Sequence, residues 1–390
     1  MVKLMKSTFF NEAETKKGLM AFIADAAQLS FGPQCEKFET DFAAWQGRKH
    51  CVLVNSGSSA NLAIVQALLN AGKLKKGDMV GFSALTWSTN VMPLIELGLV
   101  PVPIDVELDT LNISSAKLEE RLAKFPIKGL FLTNLLGFCG DIDRIAEVCR
   151  EKGIILFEDN CESFGTVYKG KKLGNFGIAS TFSFFVGHHL STIEGGAVCT
   201  DDDGFAIMLR LARAHGWDRN LKGADQERMR AEHAVDPFYG KYTFYDLGYN
   251  LRPTEITGFI GNAQLPYADH FVEARAKNHA RFAAAVAKNP AYHPMRTDHI
   301  DVVSNFAMPV VARTPEARKA LAAKADGLIE VRPIVGGDIT KQPFFGKYVP
   351  EAIRAAANPN AGLIHENGLY LPNNPELTEE EITTIINVLS

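Results

Sequence analysis

Three short stretches carry side chains whose types and spacing suit chemistry at a bound anion. "VNSGSSAN" (residues 54–61) sets small residues where an apolar run gives way to a helical pattern. Small residues let the backbone approach an anion, and the first N–H groups of a helix are free to bond it. A tight turn closed by a serine cap accounts for the same residues, so both readings stand. "FEDNCESFG" (157–165) puts Glu158 and Asp159 at the C-terminal end of a hydrophobic run, where parallel α/β sheets bind ligands. A carboxylate there can hold a protonated ring nitrogen, and a helix N-cap made by Asp159 is the alternative. "FSFFVGHHLSTIEGG" (182–196) places Ser183 on a strand and His188 and His189 on the loop after it. Adjacent histidines lack the spacing of metal ligands, and no carboxylate or cysteine accompanies them in a ligand pattern, so no metal is expected.

The elements around these stretches must hold them together. Seven short apolar runs occur in the first two hundred residues: "CVLVN", "MVGFS", "VPVPID", "GLFLTN", "IILFED", "STFSFF" and "GAVCT". Most are continuous rather than alternating, as in strands covered on both faces, and helix-length segments separate many of them. The pattern predicts an α/β domain with a mainly parallel sheet. Residues 209–251 are charged, aromatic and poorly periodic, which predicts a long functional loop, a lid or an arm to a neighbouring subunit. After Pro253 a helical pattern predicts a long, proline-interrupted linker helix. A smaller α+β domain follows, with strands near "FAMPVV" and "IEVRP" and a last helix over "TEEEITTIINVL". The expected division is residues 1–250 and 251–390.

Composition excludes several classes. The chain has 390 residues, 46% apolar and 22% charged, enough for a sizeable core. A net charge of -4 gives no pull toward nucleic acid or an anionic membrane. No apolar run approaches a membrane span, and the N-terminal stretch turns polar too early for a secretion signal, so a cytoplasmic location is expected. The six cysteines form no CxxC or CxC pair and read as reduced, packed thiols.

Together with "SFGPQCEKFETDFAAWQG", "RAHGW", "LGYNLRPTEITGFIGNAQL" and "LPNNPELTEEEI", these stretches resemble the sugar aminotransferases of nucleotide-sugar biosynthesis (DegT/DnrJ/EryC1/StrS type). These are fold-type I enzymes that use pyridoxal 5′-phosphate. The resemblance spans nearly the whole chain. It implies a large domain with a mainly parallel seven-stranded sheet and a small C-terminal α+β domain. It implies that Gly57 and Ser58, helped by Ser183, bind the cofactor phosphate. Trp87 would stack on the pyridine ring, Asp159 would pair with its nitrogen, and Glu162 would bond its hydroxyl. Asn250 would reach the phosphate of a neighbouring subunit, which implies a homodimer with shared active sites.

One position departs from the family pattern. The lysine that bonds the cofactor stands six residues before the Glu of "EGG", and here that position is His188. Lys169, Lys171 and Lys172 precede the strand and are expected to lie away from the site. An imidazole cannot form the lasting covalent link, but it can take a proton. The substitution resembles the sugar 3-dehydratases, which hold pyridoxamine 5′-phosphate without a covalent bond and remove the C3 hydroxyl of a 4-keto-6-deoxy sugar. One kind acts on CDP-linked sugars and carries an iron–sulfur cluster on cysteines that include a CxC pair, which this sequence lacks. The other kind acts on a GDP-linked sugar, with L-glutamate as amino donor and ammonia released. His215 is expected to assist proton transfer or position the sugar, and Arg332 to anchor an acid or phosphate group; a surface or core role suits each equally. An aminotransferase with a displaced lysine is the main alternative.

Overall fold

In the computed structural model, which describes residues 1–221 and 223–390, each of the seven apolar runs is a strand of one sheet. The strands are β1 (His50–Val54), β2 (Met79–Ser83), β3 (Val100–Ile104), β4 (Ile127–Thr133) and β5 (Ile155–Asp159). A small hairpin, β6 (Val167–Tyr168) and β7 (Lys171–Lys172), precedes β8 (Ala179–Ser183) and β9 (Gly196–Thr200). Their order is β1-β9-β8-β5-β4-β2-β3. Neighbours from β8 through β3 run parallel, and only β9 runs against both of its partners. Leu130 and Leu132 of β4 enter one core, while Phe131 between them enters the core on the opposite face. Both faces are therefore buried, which is why the runs read as continuously apolar. The parallel register aligns Thr133, Asp159 and Thr181 across β4, β5 and β8.

Helix α1 (Gly57–Asn70) follows β1 and is capped by Ser56, whose Oγ accepts from the Ser59 N–H at 3.0 Å. The serine cap thus exists. It leaves the N–H groups of Gly57 and Ser58 without helical acceptors. No helix follows β5, so Asp159 is not an N-cap.

The loop expected over 209–251 needs correction. Helix α2 (Asp203–Arg213) enters it, and α3 (Gly223–Glu232) lies within it; Lys222 is outside the described residues. The α3 sequence "GADQERMRAE" has no apolar stripe, so periodicity could not reveal it. It is held by Met229, packed with Ile207, Leu211 and Leu221, and by Arg230, whose Nε donates to Asp218 Oδ2 at 2.6 Å.

The linker comprises α4 (Glu255–Gln264) and α5 (Ala268–Lys288), separated by a tight turn at Leu265–Tyr267 that contains Pro266. A second sheet of β10 (Tyr292–His293), β11 (Ala307–Ala312), β12 (Arg332–Pro333) and β13 (Gly368–Pro372) is antiparallel in the order β10-β11-β13-β12. The last helix, α6 (Glu379–Leu389), starts with a capping box between Thr378 and Glu381. At the other end of the chain, Val2 bridges to Ile329 and packs in the core of this second sheet. No helix among the described residues is long and apolar enough to cross a membrane.

Candidate active site

A cavity of about 650 Å³ opens at the C-terminal ends of β4, β5 and β8. Gly57, Ser58, Trp87, Asp159, Glu162, Ser183, His188 and Arg332 all line it. His215 and Asn250 do not.

Asp159 is buried at the end of β5 and makes three hydrogen bonds. Its Oδ2 accepts from Asn61 Nδ2 at 2.9 Å and from Asn90 Nδ2 at 2.7 Å, and its Oδ1 accepts from the Cys161 N–H at 2.9 Å. Each asparagine is oriented in turn. Thr181 Oγ1 donates to Asn61 Oδ1 at 2.7 Å, and Thr86 Oγ1 donates to Asn90 Oδ1 at 2.9 Å. The carboxylate is thus held by a network whose polarity is set at every step. Glu158, one residue earlier, points the other way. It accepts the backbone N–H groups of Gly174, Phe176 and Gly177 at 2.7–2.8 Å and belongs to the scaffold.

The approach of α1 to β8 requires a glycine. A Cβ on Gly57 would lie 2.6 Å from the Ser183 Cβ and 3.3 Å from the Cys161 Sγ. The start of α1 therefore presents bare backbone to the cavity beside the Ser183 hydroxyl. Trp87 lines the cavity with an exposed indole. Glu162 accepts from the Leu136 N–H at 2.9 Å. Burial lifts its carboxyl to about 8 against that bond, and the Asp159 charge pushes the same way.

His188 rides on the connection between β8 and β9. That connection is pinned by Phe184 N–H to Gly195 O at 2.9 Å and by Val186 N–H to Ile193 O at 3.0 Å. It turns through Ile193 at φ 71°, a strained conformation for a β-branched residue. The His188 ring is 5.0 Å from the Phe306 ring, and its Nδ1 is sealed from solvent without a partner. Burial drives its pKa down to about 4, opposed by the Asp159 charge and reinforced by Arg275. The ring is consequently neutral at pH 7. No lysine among the described residues lines the cavity. Lys169 pairs with Asp143 at 2.6 Å, and Lys171 and Lys172 lie over the rings of Phe176 and Trp45.

Arg332 lines the cavity with its guanidinium bonded to Glu330 Oε1 at 2.6 Å. His215 has φ 56°, donates its N–H to Tyr249 O at 2.7 Å and packs its ring edge-on to Trp217 at 4.7 Å. Asn250 is exposed, pairs with Ala214 as an isolated bridge and accepts from Arg252 Nε at 3.0 Å. Among the described residues no three His, Cys, Asp or Glu side chains cluster as a metal site.

Residues 11–390 match the DegT/DnrJ/EryC1/StrS aminotransferase family. The chain belongs to this family. It is similar to the GDP-4-keto-6-deoxy-D-mannose 3-dehydratase of Yersinia pseudotuberculosis, with 35% identity over 370 residues, 94% of this chain and 93% of that protein. Among solved structures it is similar to the E. coli GDP-4-keto-6-deoxy-D-mannose-3-dehydratase with bound hydrated PLP. The TM-score is 0.89 at 32% identity, covering 100% of this chain and 99% of that one. A histidine-to-asparagine mutant of GDP-4-keto-6-deoxymannose-3-dehydratase with bound GDP-perosamine matches with the same score and identity over 100% of both chains.

Several residues of this DegT/DnrJ/EryC1/StrS site escape a reading of the sequence. Asn61 and Asn90 hold Asp159, Phe306 and Tyr370 reach the cavity from the second sheet, and Leu4 and Met5 reach it from the chain's start. Asn61 carried a signal, since it stands four residues after Gly57 and so one turn along the same helix face.

Proposed function

We propose that the chain is a GDP-4-keto-6-deoxy-D-mannose 3-dehydratase, dependent on pyridoxamine and pyridoxal 5′-phosphate. The observation that carries this reading is His188 in a cavity lined by no lysine among the described residues. The cavity fits the cofactor. It offers unpaired helix N–H groups and a bare Gly57 for a phosphate, an exposed indole for a flat ring, and a carboxylate fixed in place by three hydrogen-bond donors. When bound, the cofactor supplies an amine for the sugar ketone and a ring that accepts electrons.

Gly57, Ser58 and Ser183 would hold the phosphate, and Trp87 would cover the ring. Asp159 would pair with the ring nitrogen, and its asparagine clamp stops the carboxylate from turning away. Glu162, protonated at neutral pH, would donate to the ring hydroxyl. His188 enters the reaction neutral and takes up a proton, and the Asp159 charge stabilises the imidazolium that results. The proton taken up by His188 would pass to the C3 hydroxyl of the sugar, which leaves as water; water would then release ammonia from the product, and L-glutamate would supply the next amine and become 2-oxoglutarate. Arg332, freed from Glu330, meets an acidic group of the substrate or of glutamate.

Half-buried His215 bonds the Tyr249 carbonyl next to exposed Asn250, and Phe244 and Leu247 nearby are exposed, so the roles of both residues belong to the same proposal as a homodimer with shared sites. So do the division at residue 250, a cytoplasmic location and the absence of nucleic-acid or membrane partners. An aminotransferase reading needs an amine within reach of the cofactor.

The test is incubation of the full chain with pyridoxamine phosphate, L-glutamate and GDP-4-keto-6-deoxy-D-mannose. The expected result is a GDP-sugar lacking one oxygen, with ammonia and 2-oxoglutarate formed, and no protein adduct after borohydride. An amino sugar as product, or a borohydride-fixed adduct on any residue, overturns the proposal.

A further inference from the structure

Behind His188 lie two buried bases that the reaction above does not use. His189 is 5% exposed, and its Nε2 lies 3.0 Å from Ser304 O. A carbonyl only accepts, so Nε2 carries the proton and donates. Arg275, on α5, is 3% exposed and has no ion pair among the described residues. Its Nη1 donates to Phe306 O at 2.7 Å, to Asn305 O at 3.5 Å and to Asn373 O. Both side chains thus grip one segment, residues 304–306, which leads into β11. That segment carries Phe306, whose ring meets the His188 ring at 5.0 Å and 43°. His188 also borders a second cavity, of about 30 Å³, with His189 and Arg275 in its wall. With open space on that side, the ring is oriented by its contacts with Phe306 and, edge-on at 6.2 Å, with Phe185.

We propose that Arg275 and His189 are positioning residues for His188, acting through the segment 304–306 and the Phe306 ring. A cation buried without a carboxylate is costly, and three backbone carbonyls on one nitrogen repay only part of that cost. Its placement beside the proton-accepting histidine has a second consequence. Its charge disfavours imidazolium before the reaction, while Asp159, across the ring on β5, favours it. The other charged or titratable groups around His188 are Cys161, Glu162, Glu194, Arg332 and Tyr370 at the main cavity, and His189 and Glu376 at the smaller one.

The inference rests on the proposed dehydration, so its test has a readout that needs no turnover. Full chain labelled with ¹⁵N-histidine, without cofactor, is titrated by NMR, with the His188 signals assigned by their loss in His188→Gln. In Arg275→Met the His188 midpoint moves up but stays below the ordinary imidazole value, because burial is the larger cause, whereas in Arg275→Lys it stays near the wild-type value. His189→Phe preserves the stack on Phe164 but removes the donor; its His188 signals shift and broaden. With substrate, His189→Phe and Phe306→Leu each lose roughly ten-fold or more in kcat with KM within about two-fold, as for other groups that orient a catalytic ligand. His188 shifts and midpoints unchanged in Arg275→Met and His189→Phe overturn the proposal. If Arg275→Met does not fold, His189→Phe and Phe306→Leu decide alone, and kcat within about two-fold of wild type in both overturns it. Altered His188 signals in a chain that dehydrates nothing would refute the function and leave the positioning intact.

Discussion

Replacing Asp159 by Asn isolates what the clamp contributes, because the change removes a charge and almost no volume. The asparagine has one acceptor atom where the aspartate has two in use. If its oxygen faces the Cys161 N–H, its NH₂ confronts the NH₂ groups of both Asn61 and Asn90. If its oxygen faces the asparagines, its NH₂ confronts the Cys161 N–H. Rotating Asn61 or Asn90 relieves this only by reversing the Thr181 or Thr86 hydroxyl from donor to acceptor, which breaks the bonds those hydroxyls now donate. At least one buried, charge-assisted hydrogen bond is lost and donors oppose each other, a cost of about 2–3 kcal/mol. For a chain of 390 residues that corresponds to a fall of roughly 3 °C in Tm. The assay is thermal unfolding of the cofactor-free chain at pH 7.5, followed by dehydration with pyridoxamine phosphate added. The rate is expected to fall at least about a hundred-fold, because a neutral amide no longer stabilises a protonated ring nitrogen. A variant melting within about 1 °C of wild type refutes the clamp argument.

Three further outcomes are expected. His188→Lys loses deoxygenation and gains a borohydride-fixed bond to the cofactor, read by peptide mass mapping. His279, 4% exposed with neither ring nitrogen partnered, has its pKa driven by burial to about 4. The unfolded chain therefore takes up a proton near 6.5 that the folded chain refuses until about 4, and stability falls as pH drops through that window. Urea unfolding should show His279→Leu losing about 1.4 kcal/mol less than wild type between pH 7.5 and 5.5, whatever its constant packing cost. Gly57→Ala forces a methyl to 2.6 Å from the Ser183 Cβ and destabilises by about 1–3 kcal/mol; Ser183→Gly in the same chain recovers most of that in a double-mutant cycle.

The sheet was legible because each strand buries both faces, so every run stands out as unbroken apolar sequence. The cavity residues on strand ends and the first turn of α1 were legible for the same reason: the ends of such runs mark the ligand edge. Asn61 and Asn90 were not, since an asparagine on a helix or in the turn Ser88–Asn90 reads as solvent-facing until both amides are seen to meet Asp159 at the end of β5. Helix α3 has no apolar stripe and is fixed by Met229, by the Arg230–Asp218 ion pair and by hydrogen bonds from Gln226 and Arg230 to the carbonyls of Asp218 and Gly240. The two-residue strands β10 and β12 are too short for any period. Arg275 sits in a charged helical pattern that disguises its burial, and its meaning depends on carbonyls thirty or more residues away.

The opening residues of the chain have a practical bearing. Val2 is bound on both sides, its N–H to Leu328 O and its carbonyl to the Glu330 N–H, and the Leu4 N–H bonds the same Glu330 carboxylate that restrains Arg332. Met5 borders both cavities. An affinity tag or a proteolytic nick at this end therefore reaches the cavity-lining guanidinium of Arg332 through a single shared carboxylate.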